Sequence, residues 1–215
     1  MQNARRFHLV VAVVTTAAIL FQLVLVVQGG EVLDEVEEPS LPVALYRFVA
    51  YFTIQSNVLV AVGAWAVVRD PAADAAWFRR VRLAGTGGIT VTGVVHFVLL
   101  RPLLDLEGAD WAADKLLHMV VPVLAVVGWA VFGPRGRIDR GAVVVALGWP
   151  IGWLVVTLVV GAASGWYPYP FLDPRPDGVL AVVVACVGVT ALFLAVVAAL
   201  AAVDERLPDR ADSAA

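Results

Sequence analysis

Thr53-Ile54-Gln55-Ser56-Asn57 places four hydrogen-bonding side chains inside a stretch that otherwise reads as lipid-soluble helix. A second such stretch carries His118, with Asp114 one helical turn before it and Pro122 one turn after, and a third carries Thr92 and His96. Hydroxyl and amide groups bind polar ligands, and an imidazole can also carry a proton or ligate an iron. In hydrocarbon such side chains are costly and face a bundle interior or a cavity, so function is sought there first.

The elements that must position them are membrane spans. The chain has 215 residues, 61% hydrophobic and 15% charged, with a mean hydropathy of +0.87. Crossing hydrocarbon takes about 20 mostly apolar residues. Six segments qualify, at approximately 7–28, 43–68, 81–100, 113–132, 141–163 and 178–203. The expected fold class is all-α, an integral six-transmembrane-helix bundle forming one domain over residues 1–215. Short connections exclude a soluble catalytic domain, which puts any site in or beside the bilayer. The first run follows Arg5 and Arg6 but exceeds the roughly 7 to 15 residues of a signal h-region, so it is expected to stay attached. The single Cys186, in the sixth span, excludes an intramolecular disulfide and a Cys-rich metal site.

Basic residues flanking spans stay cytoplasmic. Arg5, Arg6, Arg69, Arg79, Arg80, Arg82, Arg135, Arg137, Arg140, Arg206 and Arg210 fall on the side of the two termini, against Arg101 and Arg175 in the opposite loops. Those opposite loops are acidic, through Glu31, Asp34, Glu35, Glu37 and Glu38 and through Asp105, Glu107 and Asp110. Both termini are therefore expected in the cytoplasm, in a multi-pass protein of the cell membrane. The net charge of −3 says little about partners, because the two faces nearly cancel.

At 1.5 Å rise per residue, Thr53 lies about 15 Å, His118 about 8 Å, His96 about 7 Å and Thr157 about 9 Å below the outer end of its span. The inner halves are read as aliphatic, with no imidazole. Residues three and four apart share a helix face. Ala50, Thr53, Ser56 and Asn57 make one stripe from which Gln55 points away; Asp114, His118 and Pro122 make another. Thr92 with His96, and Trp149, Trp153, Thr157 and Gly161, complete the set. Turned inward, these stripes surround a cavity open toward the outer leaflet. Each also has a structural reading: Thr53 bonding its own i−4 carbonyl, Asn57 joining helices, and His96 reaching toward water at the interface. Gly85, Gly87 and Gly88 are expected to loosen the third span, and Trp149-Pro150 to kink the fifth. The segment Trp166-Tyr167-Pro168-Tyr169-Pro170 reads either as an aromatic anchor or as a stiff lid over the outer rim, its prolines fixing φ.

Six spans, the run Leu116-Leu117-His118-Met119-Val120-Val121-Pro122, the triplet Tyr51-Phe52-Thr53 and the segment Tyr169-Pro170-Phe171-Leu172-Asp173 together resemble the androgen-induced protein and androgen-dependent TFPI-regulating protein family. The bacterial branch of that family is called the Pr-six-Pr membrane proteins. The likeness runs from the second span to the sixth. It implies a transmembrane hydrolase of fatty acid esters of hydroxy fatty acids, with a threonine nucleophile and a histidine. His118 is the direct match. Thr53 matches with a shift of about one helical turn, because Ala50 holds the place that follows the triplet Tyr46-Arg47-Phe48 and one apolar residue. On that resemblance Thr53 attacks an ester carbonyl after His118 takes its proton, Asp114 orients the imidazole, and Asn57 or Ser56 donates to the oxyanion. His96 and Thr157 are further supporting residues. The implied partners are membrane lipid and a lipid ester, without nucleic acid, cofactor or metal.

Two other classes fit the residues without the resemblance. One is a non-catalytic lipid binder, carrier or scaffold, in which the polar groups join helices. The other is a single-haem protein held by His96 and His118; transmembrane electron transfer would need a second site in the inner half.

Overall fold

The computed structural model describes residues 2–29 and 39–206. Glu31, Asp34, Glu35, Glu37 and Glu38, and Arg210, on which part of the charge argument rests, lie outside the described residues. In hydrocarbon every backbone N–H and C=O must be met within the protein, and a long apolar run does this as a helix. Helices α1 (Gln2–Val27), α2 (Leu41–Ala50), α3 (Phe52–Arg69), α4 (Ala76–Val95), α5 (Gly108–Lys115), α6 (Val121–Val127), α7 (Arg140–Ser164) and α8 (Pro174–Arg206) account for most of the chain, with no strand among the described residues. Helix α4 continues through a π-helical turn, His96–Leu100, and α5 joins α6 through another, Leu116–Val120. Six helical runs, 2–27, 52–69, 76–103, 108–132, 140–164 and 174–206, are long and apolar enough to cross a membrane.

The expected second span is not continuous. Tyr51 is extended (φ −63, ψ 128) and separates α2 from α3. Pro150, by contrast, lies inside α7 without ending it.

Helix α4 is the hub, packed on α3, α6, α7 and α8, and its glycines set how closely they approach. A Cβ on Gly85 would lie 3.0 Å from the α3 backbone at Leu59 and Val60, and one on Gly88 would lie 2.8 Å from the Trp149 ring of α7. Gly87 faces Val197 and Phe193 of α8, and Gly93 faces the His118 carbonyl and Pro122. The expectation that Gly85, Gly87 and Gly88 loosen the span is corrected, since small residues here let helices close in on several sides, as at membrane helix interfaces generally.

One end of the bundle gathers the start of α1, the turn between α6 and α7, and the end of α8. His8 Nε2 lies 2.8 Å from the Gly133 carbonyl, to which Arg82 Nη2 also donates at 2.5 Å. Asp204 accepts the N–H groups of Gly136, Arg137 and Ile138 at 2.9, 2.8 and 2.9 Å. Buried His8, at this end, also corrects the expected absence of imidazole from the half of the bundle read from the sequence as inner.

Replacing Gly85 by Val forces α3 and α4 apart. Overpacking of this kind costs about 1–3 kcal/mol, so a lower thermal unfolding midpoint in detergent is the expected result for Gly85→Val.

Candidate active site

The break at Tyr51 frees backbone polar groups inside the bundle, at the start of α3, and side chains meet them on both sides. On the α2 side, Gln55 Nε2 donates to Val49 O at 3.0 Å and Trp153 Nε1 to Ala50 O at 2.8 Å. On the α3 side, Ile54 N and Gln55 N reach the Tyr51 carbonyl at 3.1 and 3.2 Å. Thr53 N, in the first turn, instead donates to the Tyr169 hydroxyl at 3.2 Å. Thr53 thus stands at a helix N-terminus, where the summed peptide dipoles favour negative charge.

The Thr53 hydroxyl touches two groups, His118 Nε2 at 3.2 Å and Tyr169 OH at 3.3 Å. Across the ring, His118 Nδ1 lies 3.0 Å from Asp114 Oδ1 and 3.1 Å from the Asp114 carbonyl. Both of those neighbours accept, so the proton belongs on Nδ1 and the Nε2 lone pair is left facing the Thr53 hydroxyl. Asp114 is buried, and its second oxygen is met by Lys115 Nζ at 2.7 Å, with His96 Nε2 at 3.4 Å.

The π-helical turn carrying His118 has a local cause. Val121 N–H reaches back to Leu116 O, five residues away. The next carbonyl, Leu117, then faces Pro122, which has no N–H to give. Asn57 Nδ2 meets that carbonyl at 3.4 Å while also donating to Thr53 O at 2.8 Å. Asn57 therefore ties α3 to the His118 segment, and its amide is committed to carbonyl oxygens. Ser56 lies deeper, fully buried beside Thr92 at 3.5 Å.

His96 is buried rather than interfacial. Its ring stacks on that of His118 with centroids 4.1 Å apart and planes 13° apart. His96, Asp114 and His118 offer ligand atoms within 4.8 Å of one another. Stacked rings, however, send their in-plane lone pairs along parallel lines, whereas a zinc site needs them to converge at about 2.0–2.1 Å. Both nitrogens of His118 are also engaged already, with Asp114 and Thr53. The same stacking leaves no gap for a porphyrin between the two rings. The arrangement orients an imidazole rather than gathering ligands.

Two cavities meet at Thr53, and Leu100 and Tyr169 line both. The larger, about 170 Å³, runs between α4, α7 and α8 past Phe52, Trp153, Pro150 and Cys186, and is almost wholly apolar. The smaller, about 50 Å³, is bounded by Gln22, Tyr51, His96, Asp114 and His118.

Of the other residues singled out in the sequence, Thr157 is buried on α7 but lines neither cavity. Trp166 packs edge-on against Tyr46 and Tyr51 with the Arg47 guanidinium 5.1 Å over its ring. Tyr167 lies against Gly161, where a Cβ would come within 2.1 Å of its ring. Pro168 is buried and Pro170 exposed. Tyr169 departs from its expected place on the rim, because its ring enters the bundle between Tyr51, Trp153 and Phe171 and its hydroxyl reaches Thr53. The signal available in sequence was the flanking Pro168 and Pro170, which hold Tyr169 extended (φ −137, ψ 136).

No family model matches this chain, and neither a curated protein nor a solved structure does.

Burial pushes the Tyr169 phenol above its ordinary pKa of 10.0, and the hydrogen bonds from Thr53 and Phe52 offset this only in part. An unfolded chain would lose that proton first, so the stabilisation is complete below pH 10 and is lost as pH rises through the higher folded value. Subtracting the ultraviolet titration of Tyr169→Phe from that of the wild type is expected to leave a phenol midpoint above 10. A midpoint at or below 10 would contradict the buried placement.

Proposed function

We propose that this chain is an intramembrane lipid-ester hydrolase with Thr53 as nucleophile and His118 as general base. The observation that carries the reading is the hydrogen-bonded series Asp114–His118–Thr53, at 3.0 and 3.2 Å. A threonine hydroxyl is a poor nucleophile unless a base removes its proton, and a base works best when a third group fixes its tautomer. The resemblance to the androgen-induced protein family points the same way, and with it the substrate class, fatty acid esters of hydroxy fatty acids. The basic residues at the end shared by α1 and α8 support cytoplasmic termini in the cell membrane, and hence a site in the outer half.

In the first step Thr53 Oγ bonds to the ester carbonyl carbon as its proton passes to His118 Nε2, and the carbonyl oxygen takes up the negative charge. Collapse of that tetrahedral species breaks the bond to the alcohol oxygen, which receives the proton from His118. Water then attacks the acyl-threonine, giving a proton to His118. The acid departs, and the proton returns to Thr53 Oγ. Asp114 holds the imidazole and balances its charge when protonated. No metal or cofactor is needed for this sequence.

The larger cavity supports a long acyl chain, and its lipid-facing side supports sideways entry between helices. The smaller cavity has the polar wall that water and a leaving alcohol require.

Fluorophosphonate labelling of the detergent-purified protein tests the reading. Labelling is expected in the wild type and in Ser56→Ala and is expected to vanish in Thr53→Ala and His118→Ala; an unlabelled wild type would favour a non-catalytic lipid binder. Asp114→Asn, which permits the wrong imidazole tautomer, is expected to slow labelling by about 10²–10⁴-fold, by analogy with other triads. An undiminished rate in that variant would remove Asp114 from the mechanism.

A further inference from the structure

We infer that Tyr169 is a catalytic residue of the proposed hydrolase, its O–H and the Thr53 N–H together forming the oxyanion site for ester attack. The inference rests on the Thr53–His118 reading and assigns the one task in that mechanism still without a residue. Asn57, a candidate from the sequence, has its amide N–H groups on the carbonyls of Thr53 and Leu117. Ser56 lies a turn deeper beside Thr92.

Tyr169 meets the geometric requirements from the opposite side of the site. Its hydroxyl is 3.3 Å from the nucleophilic oxygen and 3.2 Å from Thr53 N. The oxygen of a tetrahedral adduct on Thr53 is bonded to the same carbon as Oγ, so it forms within reach of both groups. In the free protein the Thr53 N–H donates to the phenol oxygen, and the phenol O–H faces Thr53 Oγ as its acceptor. When a carbonyl oxygen arrives, the phenol turns from acceptor to donor and the N–H is released to the same oxygen. The cavities on either side of the Tyr169 hydroxyl leave room for that movement.

The rest of the surroundings favour a donor over a general acid or base. Tyr169 keeps its proton throughout: the Thr53 proton goes to His118, and the phenol only donates a hydrogen bond as the carbonyl electrons move onto oxygen and return. Its ring is clamped by Tyr51, Trp153 and Phe171, with centroids at 5.7, 5.9 and 5.4 Å. A donor held in this way is preorganised for developing charge and acts in a site with little water, where such hydrogen bonds are strongest.

The test is hydrolysis of p-nitrophenyl decanoate by the full chain in detergent, with kcat and KM determined for wild type, Thr53→Ala and Tyr169→Phe, and thermal midpoints for all three. Removal of one oxyanion donor is expected to lower kcat about 10²–10³-fold in Tyr169→Phe, with KM changed by less than about threefold, since the interaction is made in the transition state. Phe preserves the ring packing but removes the acceptor of the Thr53 N–H, so some lowering of the midpoint is expected beside the loss of kcat, and rates are compared at a temperature below all three midpoints. A Thr53-dependent turnover that survives Tyr169→Phe undiminished overturns the assignment alone and leaves Tyr169 a structural cap on α3. A loss expressed only in KM or only in the midpoint overturns it likewise. Wild-type turnover equal to that of Thr53→Ala overturns the hydrolase reading itself and the assignment with it.

Discussion

A helix interrupted inside a packed bundle exposes N–H and C=O groups that no water is there to meet, and each such group left alone costs several kcal/mol. The interruption at Tyr51 therefore depends on outside partners, and the structure recruits them from distant parts of the chain. Trp153 of α7 closes one side and Tyr169 of the α7–α8 connection closes the other. The break at Tyr51, the packing of α7 beside it and the inward turn of the α7–α8 connection are thus linked through the contacts of Trp153 and Tyr169. The nucleophile candidate sits where they meet.

A second dependence runs through Asp114. A lone carboxylate away from water would be strongly unfavourable, and removing one partner of a buried charged pair typically costs about 3–5 kcal/mol. Lys115, His118 and His96 surround it, and two of the three come from π-helical turns. Such turns often mark functional sites, because the extra residue re-aims a side chain at the expense of a regular hydrogen bond. Here the irregularity beside His118 follows from Pro122, and Asn57 satisfies the carbonyl it strands. The polar residues of α3 divide their work: Thr53 faces the imidazole, Asn57 supports the segment that holds it, and Gln55 helps to close the helix break.

The spans were legible in the sequence because apolar run length is a one-dimensional property. The pairing of Thr53 with His118 was legible in part, through helical periodicity and depth, which put both residues on inward faces in the same half of the bundle but at depths of about 15 and 8 Å. The break at Tyr51 was not legible, because neither glycine nor proline marks it. Its stability comes from side chains about 100 residues away in sequence, with Trp153 separated from Ala50 by 103 positions. His96 looked interfacial for a similar reason: its stacking on His118 depends on how α4 packs against the next helix, which periodicity within one helix does not contain. The glycines of α4 carried the opposite meaning from the one their local propensity suggests, since packing at a membrane interface outweighs backbone freedom.

Helix α8 is jointed near its start, where Gly178 leaves the helical conformation (φ 82, ψ 168), and fastened at its end. Before the joint Asp173 accepts the Arg175 N–H at 2.9 Å and pairs with its guanidinium, a contact local to the start of the helix; at the far end Asp204 grips the α6–α7 turn through three backbone N–H groups. Between them Val179, Leu180, Val183, Val184 and Val187 are exposed, and α8 rests on α4 more than on α7. A rod tied at one end and jointed at the other swings about its tie. Passage of a chain-like molecule between α7 and α8 would move the Gly178 end of α8 outward, like a gate, while the Asp204 fastening stays tied.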